Sequence, residues 1–250
     1  MQLGSGVRDL ADLPAGEVRL FHLSPAALPM GAEDVVLPAL TAAERARHER
    51  FRFERHRREH LATRALVRAV LSLYCARDEW RFEAGPFGRP EVVPPCGLTF
   101  NLANHPSLVV CAVALAGRTE LGVDVEPFAS ADSILEVADT HFAAPEREGL
   151  AALDADAKRD RALSLWTAKE AYLKARGAGL SLPLDAFAVR FGEEPTIDFL
   201  QPIDDGGAFT IRLLDLEGHR VAIAARGLGA PMRVVVERAD AIVARQLDQS

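Results

Sequence analysis

The middle of the chain constrains the fold most. From Leu98 to Glu126 it runs LTFNLANHPSLVVCAVALAGRTELGVDVE, β-branched and apolar stretches broken only by polar turn residues, which reads as two or three strands. Such strands need covering on their apolar side, and the flanking segments supply helices. Upstream, Thr41-Ala-Ala-Glu44 is a capping-box signature, and Leu61, Ala65, Leu66, Ala69, Val70 and Leu73 recur at helical spacing, predicting helices over 42–56 and 59–76. Downstream, 132–142, 145–153 and 157–176 read as helices, the last stopped by Gly177-Ala-Gly179 as by a glycine C-cap.

Toward both ends the pattern returns to strand. EVRLFHL (17–23) alternates as a strand does, PAALPMGAEDVVLPAL is punctuated like a loop, and WRFEAGPFGRPEV (80–92) is a short strand followed by a Gly/Pro turn. FAVRF, FTIRLLDL, HRVAIAA and MRVVVE predict an antiparallel set, with a last helix near 238–247. Helices plus a small sheet in each half give the α+β class. Two domains are expected, 1–117 and 118–250, with the polar Gly117-Arg-Thr-Glu120 at the junction.

Composition narrows the function. A formal charge of −7 opposes nonspecific nucleic-acid binding, so no nucleic-acid partner is expected, yet Glu44 to Arg68 carries nine arginines against four glutamates. A local anion site inside an acidic protein is therefore expected. No apolar run is long enough for a bilayer and MQLGSGVRDL lacks the layout of a secretory signal, which predicts a cytoplasmic protein without a membrane partner. Cys75, Cys96 and Cys111 are odd in number and widely spaced, and read as buried thiols.

Three constellations carry chemistry. In Leu121-Gly-Val-Asp-Val-Glu126 a strand would turn Val123 and Val125 to the core and set Asp124 and Glu126 roughly 6–7 Å apart on the opposite face. That is either a solvated outer face or a seat for a hard cation such as Mg²⁺. In Trp166-Thr-Ala-Lys-Glu-Ala-Tyr-Leu-Lys174, residues Trp166, Glu170 and Lys174 line one helical stripe, where Glu170 and Lys174 are also an ordinary i,i+4 pair and Trp166 an ordinary core aromatic. The arginine run, with Arg89 on the Gly88-Arg-Pro90 turn, is either a solvated helix face or a receiver of phosphate oxygens. Within it His56-Arg-Arg-Glu59-His60 matches H-x-x-E-H, but the cationic surroundings oppose zinc and no third ligand is indicated.

Together, FNLANHPSLVVCAVA, LGVDVE and WTAKEAYLKARGAGLSLPLDAF resemble, in order and spacing, the Sfp-type 4′-phosphopantetheinyl transferases. The family patterns G-x-D-x-E and W-x-x-K-E-(A/S)-x-x-K are complete, FGRP looks like its Gly-basic-Pro turn, and the resemblance spans roughly 40–195. It implies two similar α+β halves in pseudo-twofold arrangement with coenzyme A in the cleft between them, and a monomer. The activity implied is transfer of the phosphopantetheine arm of CoA to a serine of an apo acyl or peptidyl carrier protein, releasing adenosine 3′,5′-bisphosphate.

By the same resemblance Asp124, Glu126 and Glu170 hold Mg²⁺ with the CoA diphosphate; the catalytic set is Asp124, Glu170 as general base and Lys174 on the leaving phosphate. The CoA contacts implied are Arg47, Arg58, Arg64, Arg89, Asn104, His105, Lys169 and Lys174. The family's F-N-(I/L)-S-H-S block reads Phe100-Asn-Leu-Ala-Asn-His105 here, so Asn104 stands at its histidine position, and Glu146 in FAAPE falls where the family often has a glutamate. Acidic carrier domains imply a cationic rim. Two rivals share these residues: an Mg²⁺-dependent nucleotide or CoA pyrophosphatase, and a non-catalytic CoA- or carrier-binding protein.

Overall fold

The computed structural model describes residues 8–77, 79–85, 89–177, 182–192, 195–200 and 208–248. Part of the FGRP turn, Phe87 and Gly88, and Ala178-Gly179 of the expected helix stop lie outside them. The chain divides into two compact units, one formed by 1–117 with 228–250 and the other by 118–227.

In the first unit β1 (Glu17–Leu23) lies between β5 (Leu108–Leu115) and β11 (Arg233–Arg238), and β4 (Leu98–His105) closes the other edge. β5 is antiparallel to both its neighbours, while β11 runs parallel to β1 from Glu17↔Arg233 to His22↔Arg238. The second boundary therefore corrects the expected division: 228–248 returns to the first unit, and MRVVVE is a parallel partner of β1, not part of the antiparallel set. A parallel partner must be brought back by a long connection, which strand propensity does not reveal. α7 (Asp240–Asp248) then joins the core through Val243.

Helix α3 (Glu54–Ser72) places Leu61, Ala62, Ala65, Leu66, Ala69 and Val70 in a core shared with Phe21, Leu23, Val109, Cys111 and Val113. The capping box is present at α2 (Ala42–Glu49): Glu44 N donates to Thr41 Oγ1 at 3.2 Å and Thr41 N to Glu44 Oε2 at 2.9 Å. α2 stops seven residues short of expectation, because Phe51 leaves the helix to pack on the rings of His56 and His60 at 6.2 and 5.6 Å. The segment expected as a loop holds helix α1 (Ala32–Ala39), entered after left-handed Gly31, with Pro38 admitted in its last turn. β2 (Phe82–Ala84) and β3 (Pro90–Val92) form a hairpin. Cys96 and Cys111 are buried and Cys75 half-buried, all free thiols.

The second unit is an antiparallel sheet in the order β6 (Glu120–Pro127), β10 (His219–Arg226), β9 (Thr210–Leu216), with a separate hairpin of β7 (Phe187–Arg190) and β8 (Thr196–Phe199). Helix α6 (Ala155–Arg176) covers it, and α4 (Ala131–His141) and α5 (Ala144–Ala151) pack against α6. Asp154 caps α6 by accepting from Asp156 N and Ala157 N, and Gly177 ends it at φ 61°, where a side chain would be strained. Both units are thus α+β.

Candidate active site

The site is built on the closest helix-to-sheet approach of the second unit, and Gly122 makes that approach possible. A Cβ at Gly122 would overlap the backbone of Ala171 and Ala175 on α6. Across the strand pair, Gly122 and Asp124 stand opposite Ala224 and Ala222, and Ala168, Ala171 and Ala175 meet them from the helix. Side chains alternate along β6, so Asp124 and Glu126 share the Gly122 face and point toward α6. Val123 and Val125 are buried on the other face, while Asp124 is itself buried and Glu126 half-buried, so of the two alternatives the solvated outer face is the one that does not fit. We expect Gly122→Ala to cost about 3 kcal/mol or more in urea unfolding, since the obstructing atoms are backbone. A loss under about 1 kcal/mol would contradict this packing.

Close packing brings the two motifs together. Lys174, one third exposed, does not spend itself on a surface pair with Glu170 but donates from Nζ to Asp124 Oδ1 at 2.7 Å. Asp124 is 7% exposed, and its Oδ2 is buried with no hydrogen-bond partner. Burial, then the neighbouring Asp124 charge, pushes Glu126 up to about 7, against the pull of hydrogen bonds from Trp166 and Ser130 and the Lys174 charge. Burial and then Asp124 also raise Glu170, with Lys174 again opposing.

Three carboxylates thus share one desolvated field with one ammonium, leaving two negative charges uncompensated when all are ionised. Among the described residues no three His, Cys, Asp or Glu side chains close to metal-holding geometry as they stand. The all-oxygen donor set, the unpartnered Asp124 Oδ2 and the excess charge nevertheless fit a hard divalent cation. Trp166, an ordinary core aromatic by its sequence, sits beside the site: it is among the groups that oppose the rise of Glu126, and its ring meets His141 at 5.8 Å. Its i−4 spacing from Glu170 was the available signal.

Lys169 requires a correction. It is 0% exposed, its Nζ donating to Leu184 O at 2.7 Å, to Phe187 O, and pairing with Glu146 Oε2 at 2.8 Å. Glu146 also accepts from Ala143 N and Val189 N. The pair is a strut joining α6, α5, the turn at 184–186 and β7, and it leaves no side-chain surface for CoA.

The N-terminal candidates lie in the first unit. Arg58 is committed to backbone, donating to Pro25 O and Leu28 O at 2.7 Å each and to Ala26 O at 3.3 Å, which corrects its expected CoA role. Arg89 is tied to β4 through Thr99 Oγ1 and Phe100 O at 3.0 and 3.1 Å. Arg64 and Arg68 share Glu44, whose own burial is outweighed by the Arg68 hydrogen bond and charge so that its carboxyl lies below the usual range. Arg47 is exposed nearby. Asn104 donates to Glu59, which also meets His56 Nδ1 at 3.3 Å, and His105 Nδ1 meets Ser107 Oγ at 2.7 Å.

His60, 5% exposed, lies tilted against His48 with ring centroids 5.5 Å apart and neither of its ring nitrogens hydrogen-bonded. Burial first, then the charges of Arg64, His48 and Arg47 against that of Glu44, lowers it from 6.5 to about 4. The unfolded chain therefore takes up the proton first as pH falls, so stability is complete above 6.5 and declines toward pH 4. The loss should approach about 3 kcal/mol, read by denaturant midpoints across that window, and His60→Phe should flatten the profile.

Residues 120–224 match the profile of the 4′-phosphopantetheinyl transferase superfamily. The chain is similar to "4′-phosphopantetheinyl transferase Sfp" of Bacillus subtilis, 29% identical over 189 residues, covering 74% of this chain and 82% of that protein. It is similar to "4′-phosphopantetheinyl transferase HetI" of Nostoc, 31% identical over 174 residues, with coverage of 68% and 72%. A solved holo-(acyl-carrier-protein) synthase from Bacillus anthracis in complex with CoA overlaps 42% of this chain and 93% of its own at 19% identity and TM-score 0.36, a partial superposition that decides nothing about the site.

Proposed function

Because the chain belongs to the Sfp-type 4′-phosphopantetheinyl transferases, we propose that it moves the phosphopantetheine arm of coenzyme A onto a serine hydroxyl of an apo acyl or peptidyl carrier protein. The observation that carries the reading is the convergence of Asp124, Glu126, Glu170 and Lys174 where β6 and α6 pack closest. Asp124, Glu126 and Glu170 would hold Mg²⁺, the unpartnered Asp124 Oδ2 being one seat. When bound, Mg²⁺ supplies charge neutralisation at the CoA diphosphate.

The chain's own groups account for the rest. The serine oxygen bonds to the β-phosphorus as the bond from that phosphorus to the bridging diphosphate oxygen breaks, and adenosine 3′,5′-bisphosphate leaves. Glu170 takes the serine proton. Lys174 spends one N–H on Asp124, and its other donors face the charge growing on the leaving phosphate. Arg47, Arg64, Arg89, Asn104 and His105 remain the contacts proposed for the nucleotide end, with a cytoplasmic monomer as the working form.

The test mixes the protein with CoA, Mg²⁺ and an apo carrier protein and weighs the carrier. A gain of one phosphopantetheinyl group, abolished by chelation of divalent ions, is expected. An unchanged mass across several carriers overturns the transferase reading, and free phosphopantetheine formed without a carrier points to the pyrophosphatase instead.

A further inference from the structure

The turn between α2 and α3 carries two phenylalanines with opposite fates. Phe51 packs inward on His56 and His60, whereas Phe53 is 52% exposed. Phe53 is also the N-cap of α3, at φ −102° and ψ 137°, and makes no side-chain capping bond there. That position favours Ser, Thr, Asp or Asn by about 1 kcal/mol, because their oxygen accepts a free N–H of the first turn. The chain thus gives up a local stabilisation and exposes a phenyl ring at the same residue, a conflict of the kind expected at functional surfaces.

Two guanidinium groups flank that ring. Arg55 Cζ lies 5.1 Å and Arg52 Cζ 5.7 Å from its centroid, and His56 meets its edge at 6.1 Å. Both arginines are exposed, and Arg55 donates from Nε to His56 Nε2 at 3.3 Å. Among the described residues no carboxylate pairs with either; the nearby Glu54 is taken by Arg57 at 3.7 Å. Stacking on a ring orders a guanidinium while its in-plane N–H groups still suit a carboxylate, and clusters of aromatic and arginine side chains are where protein interfaces concentrate their binding energy.

We infer that Phe53, Arg52 and Arg55 form a docking point for the carrier protein, engaging an apolar side chain flanked by carboxylates on its surface. The ring matches the apolar side chain and the two guanidinium groups match the carboxylates. The identity of the partner rests on the transferase reading above. A formal charge of −7 opposes a long polyphosphate in its place.

The test measures transfer by the full chain with carrier and CoA varied separately. Phe53→Ser should raise KM for the carrier about tenfold and leave kcat and KM for CoA within about twofold of the parent. Its denaturant midpoint should equal or exceed the parent's, since serine supplies the missing cap. The double variant Arg52→Gln, Arg55→Gln should raise the carrier KM likewise and flatten its dependence on added NaCl. Anisotropy of a labelled apo carrier reads docking without chemistry, so the two readings fail separately. A parent that binds the carrier through these residues but transfers nothing overturns only the transferase. Transfer with the same carrier KM in parent and variants, or a rise in KM for CoA instead, overturns only the docking point. Duplex DNA binding or a parent dimer that is lost in the same variants gives the surface to a nucleic acid or a second copy and overturns it too. A parent that neither binds nor transfers overturns both.

Discussion

Asp124→Asn should remove carrier transfer while leaving the protein folded. Asparagine keeps the volume and still offers Oδ1 to Lys174, but it withdraws one of the three charges that make the site a cation seat. A drop of at least about 100-fold in kcat/KM is expected, in the range seen when one group that stabilises developing charge is removed. Apo stability should stay within about 1 kcal/mol of the parent or rise, because the variant relieves repulsion from Glu126 and Glu170. Rates from holo-carrier formation, paired with thermal unfolding, separate the two readouts. Full activity in this variant would sink the three-carboxylate site. A large loss of stability would make Asp124 a structural partner of Lys174 and nothing more.

Lys169→Met should cost about 3–5 kcal/mol, the largest stability effect expected from any polar residue near the site. The loss does not come from missing attraction alone. It leaves Glu146, 2% exposed at its side chain, as an uncompensated buried charge, and it strips Leu184 O and Phe187 O of their donor. Burial already pulls the Lys169 ammonium below the ordinary lysine value, so the pair is held by geometry against desolvation. The double variant Lys169→Met, Glu146→Gln should recover part of the loss, since no charge is then stranded. Denaturant unfolding of the three proteins decides it. If the single variant is as stable as the parent and only KM for CoA rises, Lys169 is a substrate contact and the strut is refuted.

These outcomes follow from how two short motifs were read and how they pack. LGVDVE and WTAKEAYLK announced their chemistry because two acids one residue apart in an apolar strand, and a Trp, Glu and Lys at fourfold spacing, have few neutral uses in combination. Nothing in either motif stated that Lys174 would choose Asp124 over its helical neighbour Glu170. That choice depends on Gly122 letting α6 approach β6 until an ammonium on one reaches a carboxylate on the other. Lys169 and Glu170 are adjacent and equally polar in sequence, yet α6 is buried on several sides at its middle and turns one toward Glu146 and the other toward Asp124. By its sequence the arginine run is either a solvated face or a receiver of phosphate oxygens, but in the fold Arg58 serves backbone carbonyls and Arg64 and Arg68 share a buried glutamate.

Local chemistry determined the α+β class, most helices, the glycine stop at 177 and the identities of the acids, because caps, periodicity and strand propensity act over a few residues. Tertiary structure alone decided that the last strand returns to lie parallel to the first, that the carboxylates face a helix and not water, and which of two neighbouring charges is a strut. Those are settled by chain closure and by competition for a limited number of buried partners, quantities that exist only once distant segments have met.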